Sequence, residues 1–179
     1  AFTHPRQAMD AGVGFVPEDR HREGLMLGLS VGDNLLMTTL RHVCRAGWLD
    51  RSKVAAHTRE SIQRLNVQPP DGGKLVRQLS GGNQQKVLLG KWFRLGPRVI
   101  LLDEPTVGVD VGAKAEIYAL LRAQRDTGAA VLVVSSDLEE VMAIADRIAV
   151  MVAGRLVALH DADDVTMAQI AGEIGGAAT

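Results

Sequence analysis

The segment at residues 79–86, with the sequence LSGGNQQK, constrains the fold most, because it predicts a helix that begins at an anion-binding turn. Ser80 can cap this helix, and Gly81 and Gly82 have no side chain to keep an anion away from their N–H groups. The first N–H groups of a helix have no partner inside it and lie at the positive end of its dipole, where phosphate oxygens bind. A glycine pair alone is more often an ordinary turn, so the interpretation needs a second motif.

The residues after this turn predict which faces of the helix are buried. An apolar stripe recurs at helical spacing and is expected to pack on a core. It consists of Leu88, Leu89, Trp92 and Leu95. The cations between them, Lys86, Lys91 and Arg94, are expected to face solvent or a partner.

A second motif lies 23 residues after Ser80 (103 − 80), where the apolar run Val99–Leu102 ends in Asp103 and Glu104. In open α/β sheets, ligands bind beyond the carboxyl ends of the strands, so both carboxylates are expected at a ligand site. Mg²⁺ takes oxygen ligands and keeps several waters, which predicts that Asp103 binds it directly or through water. Glu104 can orient or deprotonate an attacking water. The less specific alternative is a pair of carboxylates that only caps a strand end.

The order of apolar runs predicts an α/β fold. Strands are expected at 13–16, 99–102 and 131–134, after a short helix at 5–11, and a helix at about 113–125 separates the last two strands. Continuous apolar strands joined by helices imply a parallel sheet that is covered on both faces. Beyond them the pattern predicts a helix near 138–145, a hairpin over 147–159 that turns at Ala153-Gly154, and a tail at 161–179 with a short helix that frays.

The region from Ser30 to Val76 is predicted to be helical. Ser30 and Asp33 resemble a capping box that opens a helix reaching Leu40. A second helix after Asp50 carries the stripe Val54, Thr58, Ile62 and Leu65 and ends at the loop 68–73, which is rich in proline and glycine.

Composition excludes several classes of protein. With 46% hydrophobic and 23% charged residues the chain is globular, and a net charge of −1 gives no reason to expect nucleic acid as a partner. The single cysteine, Cys44, excludes an intrachain disulfide and is expected to be an inert thiol. No window reaches the roughly 20 apolar residues that span a bilayer. The chain begins with Ala1 rather than Met, which suggests a part of a longer protein.

Together the two motifs resemble those of the ABC-transporter ATPases. The segment 79–86 is similar to the family's LSGGQ signature, with Asn83 in place of Gln, and 99–104 is similar to its Walker B motif. The resemblance implies an α/β, partial P-loop NTPase core with an inserted helical subdomain. Residues 1–29 would hold a core strand and the Q-loop region, 30–95 the helical subdomain ending in the signature helix, and 96–179 Walker B, the D-loop and the C-terminal part of the core.

The resemblance also implies the site residues, with ATP and Mg²⁺ as cofactors. The nucleotide-binding residues would be Ser80, Gly81, Gly82, Asn83, Gln84, Glu18 at the Q-loop position and Asp110 in the D-loop. Asp103 would bind the metal, and Glu104 and Ser136 would be catalytic. Glu18 stands where the family has Gln, and Ser136 stands where it usually has a histidine that contacts the terminal phosphate. Because a hydroxyl cannot offer an imidazolium charge, this half's own hydrolytic site is expected to be weak.

The sequence contains no G-x-x-x-x-G-K-[ST] loop, so these residues alone are not expected to complete an ATP site or to hydrolyse ATP. The runs at 16–20, 79–86 and 108–114 resemble the second nucleotide-binding half of bacterial ribose, xylose and galactose importers. In that family, the signature of one half acts on ATP held by the other half.

The importer resemblance implies several partners and a location. The partners would be the other half or a dimer mate, permease subunits and, indirectly, a periplasmic sugar-binding protein. The location would be peripheral, on the cytoplasmic face of the inner membrane. The alternatives are a soluble ABC-type ATPase without a transport role and an interaction module that binds no nucleotide.

Overall fold

The computed structural model describes residues 1–45 and 47–176. They form two compact units, of which the first ends at Val134 and the second begins at Ser135. The helices of the first unit are α1 Pro5–Asp10, α2 Val31–Leu36, α3 Arg51–Leu65, α4 Gly81–Phe93 and α5 Val111–Asp126. Its strands are β1 Val13–Val16, β2 Cys44–Arg45, β3 Trp48–Leu49, β4 Val99–Asp103 and β5 Ala130–Val134. The second unit contains α6 Leu138–Ile144, β6 Arg147–Val152, β7 Arg155–Asp161 and α7 Met167–Gly176. A π-helical turn spans Arg20–Gly24, and 3₁₀ turns span Met37–Val43, Val76–Gln78 and Ala162–Asp164.

The first unit contains a parallel sheet in the order β1-β4-β5, which confirms the predicted α/β architecture. One face of the sheet is buried, with Val16 and Ile100 fully inaccessible to solvent. Helix α4 packs on the sheet at Gly14, where an added Cβ would lie 3.4 Å from the Trp92 ring. The signature helix is therefore anchored directly to the sheet.

The other face of the sheet does not match the prediction of a sheet covered on both sides. Phe15, Leu101 and Leu132 lie side by side across the three strands. Phe15 is 45% exposed and Leu132 is 56% exposed, so this row is open to solvent in the described part of the chain. Apolar residues in such a row are typical of a parallel sheet that is covered on both faces. In the described part of the chain, only the opposite face is covered.

The helical region follows its local signals closely at its start. The Ser30–Asp33 capping box is present, and Asp50 accepts hydrogen bonds from the first N–H groups of α3. The prediction that the first helix reaches Leu40 is wrong, because α2 ends at Leu36 and Thr39 has non-helical dihedral angles. The Thr38 hydroxyl donates to the Lys91 carbonyl at 2.6 Å and so ties the 3₁₀ turn after α2 to α4.

The second unit is built on the predicted hairpin. Strands β6 and β7 pair antiparallel around Ala153 and Gly154, which both have positive φ. Its core consists of Ile148, Val150, Val165 and Ile170. The tail forms α7, and the last residues of the predicted frayed end, 177–179, lie outside the described residues. Among the described helices, none has the length and hydropathy that crossing a membrane requires.

Candidate nucleotide site

The signature segment, residues 79–86, begins its helix as predicted, at Gly81. Within the described chain, the N–H groups of Gly81, Gly82 and Asn83 have no hydrogen-bond acceptor. The prediction that Ser80 caps the helix with its side chain is wrong, although Ser80 holds the N-cap position. Its Oγ instead accepts a hydrogen bond from Asn83 Nδ2 at 2.9 Å. The helix therefore starts with unpaired amides, which is the arrangement that suits an anion.

The glycine pair also serves packing, because the loop at residues 107–110 lies against it. A Cβ added at Gly81 would lie 2.8 Å from the Gly108 carbonyl oxygen, and one at Gly82 would collide with the Ala113 Cβ. The same added atom at Gly82 would lie 3.7 Å from Asp110 Oδ2. Asp110 caps α5 by accepting from the Ala113 N–H at 2.9 Å. The structure thus brings the signature glycines together with Asp110.

Arg20, which the sequence interpretation missed, joins this cluster from the loop after β1. Its Nη1 donates to the Val107 carbonyl at 2.7 Å, and its Nη2 donates to the Gly108 carbonyl at 3.3 Å. The guanidinium also lies beside Gly81, with Nη2 at 3.1 Å from the position of an added Cβ. A charged run such as 17–24 reads as a solvated loop, and no local pattern indicates a bond to a carbonyl 87 residues away.

Gln84 is buried, and its amide is engaged within the chain. Nε2 donates to the Val76 and Leu79 carbonyls at 3.2 and 3.3 Å. Oε1 lies 2.8 Å from His21 Nε2, which must be the donor because the amide oxygen can only accept. The predicted contact of Gln84 with nucleotide stays a prediction.

The prediction that Lys86 faces solvent or a partner is wrong, because its side chain is only 4% exposed. Its Nζ donates to the Asn66 carbonyl and to Glu116 Oε2, both at 2.7 Å. The hydrogen bond from Lys86 holds the pKa of Glu116 below its ordinary value. Lys91 and Arg94 are also partly buried and donate to Gly24 O and Thr39 Oγ1. Helix α4 is thus buried on nearly all sides. The Lys86 ammonium is paired because burying a charged group without a partner costs several kcal/mol of folding free energy, as a rough figure.

The predicted carboxylates lie where β4 ends, both only half-buried. Glu104 has φ 44°, and its N–H donates to the Val134 carbonyl of β5 at 2.8 Å. This left-handed conformation is uncommon for a residue with a side chain, and such residues cluster at functional sites. Among the described residues, no cluster of three or more His, Cys, Asp or Glu side chains could hold a metal ion. Asp103 would therefore need further oxygen ligands from nucleotide and water to hold Mg²⁺.

The remaining predicted residues, Glu18 and Ser136, are both exposed. Glu18 follows β1 in the same loop as Arg20, and its neighbour Asp19 caps the π-helical turn. Ser136 belongs to the second unit, in the connection between β5 and α6. Their roles stay predictions.

Comparison with known proteins places this chain in a family. A family model described as ABC transporter matches residues 2–107, which is more than half of the chain. The ribose import ATP-binding protein RbsA of Rhodopirellula baltica is 46% identical over 163 residues, 91% of this chain and 32% of that protein. Ribose import ATP-binding protein RbsA 2 of Streptomyces coelicolor is 48% identical over 165 residues, 90% of this chain and 32% of that protein. The chain thus spans about a third of the length of these curated relatives.

A solved structure supports the fold independently. An ABC transporter of the metal-chelate type, in an inward-facing conformation, matches 92% of this chain and 64% of its own with a TM-score of 0.75 and 20% identity. At that identity the match speaks for the fold alone. The family model and the curated relatives confirm the resemblance that the signature segment and the carboxylates after β4 predicted. The chain belongs to the ABC transporter family.

Proposed function

We propose that this chain is part of an ATP-hydrolysing subunit that powers import of a sugar across the bacterial inner membrane. The curated relatives described above are named as ribose import ATP-binding proteins, and they match nine-tenths of the chain. The subunit would bind permease subunits at the cytoplasmic face of the membrane and serve a periplasmic sugar-binding protein indirectly. We further propose that residues 30–95 are the helical subdomain ending in the signature helix, between core segments 1–29 and 96–179.

The observation that carries this proposal is the start of α4. The N–H groups of Gly81 and Gly82 have no acceptor in the described chain and sit at the positive end of a 13-residue helix. The exposed Ser80 hydroxyl stands beside them. This donor set fits the terminal phosphate of ATP, and in our proposal the other nucleotide-binding half holds that ATP.

The carboxylates after β4 fit a second part of the same function. Asp103 is half-exposed and has no hydrogen-bond or ion-pair partner among the described residues, so its oxygens suit Mg²⁺. Bound Mg²⁺ would neutralise phosphate charge. Glu104 would accept a proton from a water in this half's own site, which we propose is weak because Glu18 and Ser136 replace the family's usual Gln and His.

Ser80→Arg in the complete transporter tests the proposal. The larger side chain would occupy the phosphate position and block the Gly81 and Gly82 amides as well as remove the hydroxyl, so turnover of ATP should fall by at least about a hundredfold. Ser52→Arg, at an exposed position of α3, is the matched control and should keep full turnover. Unchanged ATPase turnover in Ser80→Arg, with the protein folded, would contradict the proposal.

A further inference from the structure

The side-chain amide of Asn83 in the signature segment has an orientation that its hydrogen bonds determine. Its Oδ1 accepts a hydrogen bond from the Gln68 N–H at 2.8 Å, and its Nδ2 donates to Ser80 Oγ at 2.9 Å. Turning the amide over would place the NH₂ group against the Gln68 N–H and the oxygen against Ser80. The donor to Ser80 is therefore fixed by a backbone group that substitution of side chains cannot remove.

The hydrogen bond from Asn83 sets the hydrogen-bonding role that is left to the Ser80 hydroxyl. A hydroxyl has one proton and two lone pairs, and here one lone pair accepts from Asn83. The proton is then left for another acceptor, and none is present among the described residues. Ser80 is exposed, and the unpaired amides of Gly81 and Gly82 follow it directly. The hydroxyl proton is thus available to donate to a ligand bound at the unpaired amides.

A series of hydrogen bonds holds Gln68, the residue whose N–H donates to Asn83. Gln68 Nε2 donates to Asn66 Oδ1 at 3.2 Å, and the Asn66 carbonyl accepts from the buried Lys86 ammonium at 2.7 Å. Asn66 Nδ2 also donates to Glu116 Oε2 at 3.1 Å. The support of Asn83 therefore reaches from the end of α3 to α5, so the amide is set by packed elements rather than by a free loop.

We propose that Asn83 is a positioning residue, which keeps the Ser80 hydroxyl oriented as a hydrogen-bond donor toward a nucleotide phosphate. The inference rests on the proposed function, since it needs a phosphate at the start of α4. Asn83 acts through Ser80 and not by its own contact with nucleotide. An amide at position 83 is required because a donor to Ser80 and an acceptor for the Gln68 N–H must come from one side chain.

A double-mutant cycle in the complete transporter tests this inference, with ATP turnover and KM for ATP as readouts. Asn83→Ala and Ser80→Ala should each lower turnover by about fivefold, the order expected for one hydrogen bond. The double variant should be no slower than Ser80→Ala, because Asn83 has no further role once the hydroxyl is gone. Gln63→Ala, which removes an exposed amide from α3, is the control and should match the wild type.

The outcomes separate the inference from the proposed function. If Ser80→Ala leaves turnover unchanged while Ser80→Arg abolishes it, the inference alone is overturned, because the amides of Gly81 and Gly82 still bind the phosphate. If Ser80→Arg also leaves turnover unchanged, the proposed function fails, and the inference fails with it. If Ser80→Ala slows turnover but the effect of Asn83→Ala multiplies with it, Asn83 acts on its own, and the inference alone is overturned. Asn83→Asp keeps the acceptor for the Gln68 N–H and cannot donate to Ser80, so wild-type turnover in that variant also overturns the inference.

Discussion

The signature segment and the strand-end segment, residues 103–107, carry the two halves of the candidate chemistry, but they are held in opposite ways. The signature segment is fixed by side chains: Gln84 and Lys86 are buried and bonded, and Gly82 is closely packed. The strand-end segment is held through its own backbone: the Glu104 and Val107 N–H groups donate to carbonyls, and the Val107 carbonyl accepts from Arg20. Its carboxylates stay half-exposed.

This difference predicts which substitutions should lower the free energy of unfolding and which should change only the chemistry of the site. A segment fixed by buried side chains loses folding free energy when one of them changes. A segment fixed by its backbone can change a half-exposed carboxylate with little effect on folding. Three substitutions test this contrast, all measured as the free energy of unfolding in urea.

Gly82→Ala should give the largest effect. The new Cβ would collide with Ala113 of α5, and overpacking of this kind costs about 1–3 kcal/mol. Gly112→Ala is the matched control in a helix, since its nearest added contact would be Asp110 Oδ1 at 3.4 Å. The control should be neutral or gain up to about 1 kcal/mol from helix propensity.

A compensating substitution sharpens the Gly82 prediction. Ala113→Gly removes the methyl group that Gly82→Ala would meet, so the double variant should recover the part of the loss that comes from the collision. Strict additivity of the two losses would show that Gly82 is needed for a reason other than space.

The contrast also marks what the sequence could and could not predict. The start of α2, the hairpin β6–β7 and the strand β4 follow from local signals: a capping box, a glycine turn and an apolar run. The burial of Lys86 does not follow from a local signal, because helical periodicity predicts that a lysine at this position faces solvent. Its partners, the Asn66 carbonyl and Glu116, lie 20 and 30 residues away and meet it only in the folded chain.

The position of Arg20 was unpredictable for the same reason. Its acceptors are backbone carbonyls, which carry no signature in the sequence. The position of the carboxylates was predictable, because the apolar run of β4 stops at two charged residues and so marks where the strand ends. Residues at the end of a strand or the start of a helix can therefore be located from the sequence, whereas their contacts with distant parts of the chain cannot.

Lys86→Met should give an intermediate effect, a loss of about 1–2 kcal/mol, because the Asn66 carbonyl loses its charged donor while methionine fills most of the volume. Glu116 is half-exposed and can regain water, which limits the loss. Lys53→Met, at an exposed position of α3, is the control and should change the free energy of unfolding by less than about 0.5 kcal/mol. A variant as stable as the wild type would show that the buried pair contributes no net stability.

Asp103→Asn should give the smallest effect on folding, less than about 0.5 kcal/mol, because its carboxylate is half-exposed and has no partner among the described residues. Asp110→Ala makes the contrast within the same loop region, since loss of the N-cap of α5 should cost about 1 kcal/mol. In the complete transporter, Asp103→Asn should still weaken Mg²⁺-dependent nucleotide binding by this half, because a neutral amide is a poorer ligand for a hard cation than a carboxylate. If Asp103→Asn destabilised the fold as much as Lys86→Met, the strand-end segment would also depend on its side chains, and the contrast between the two segments would fail.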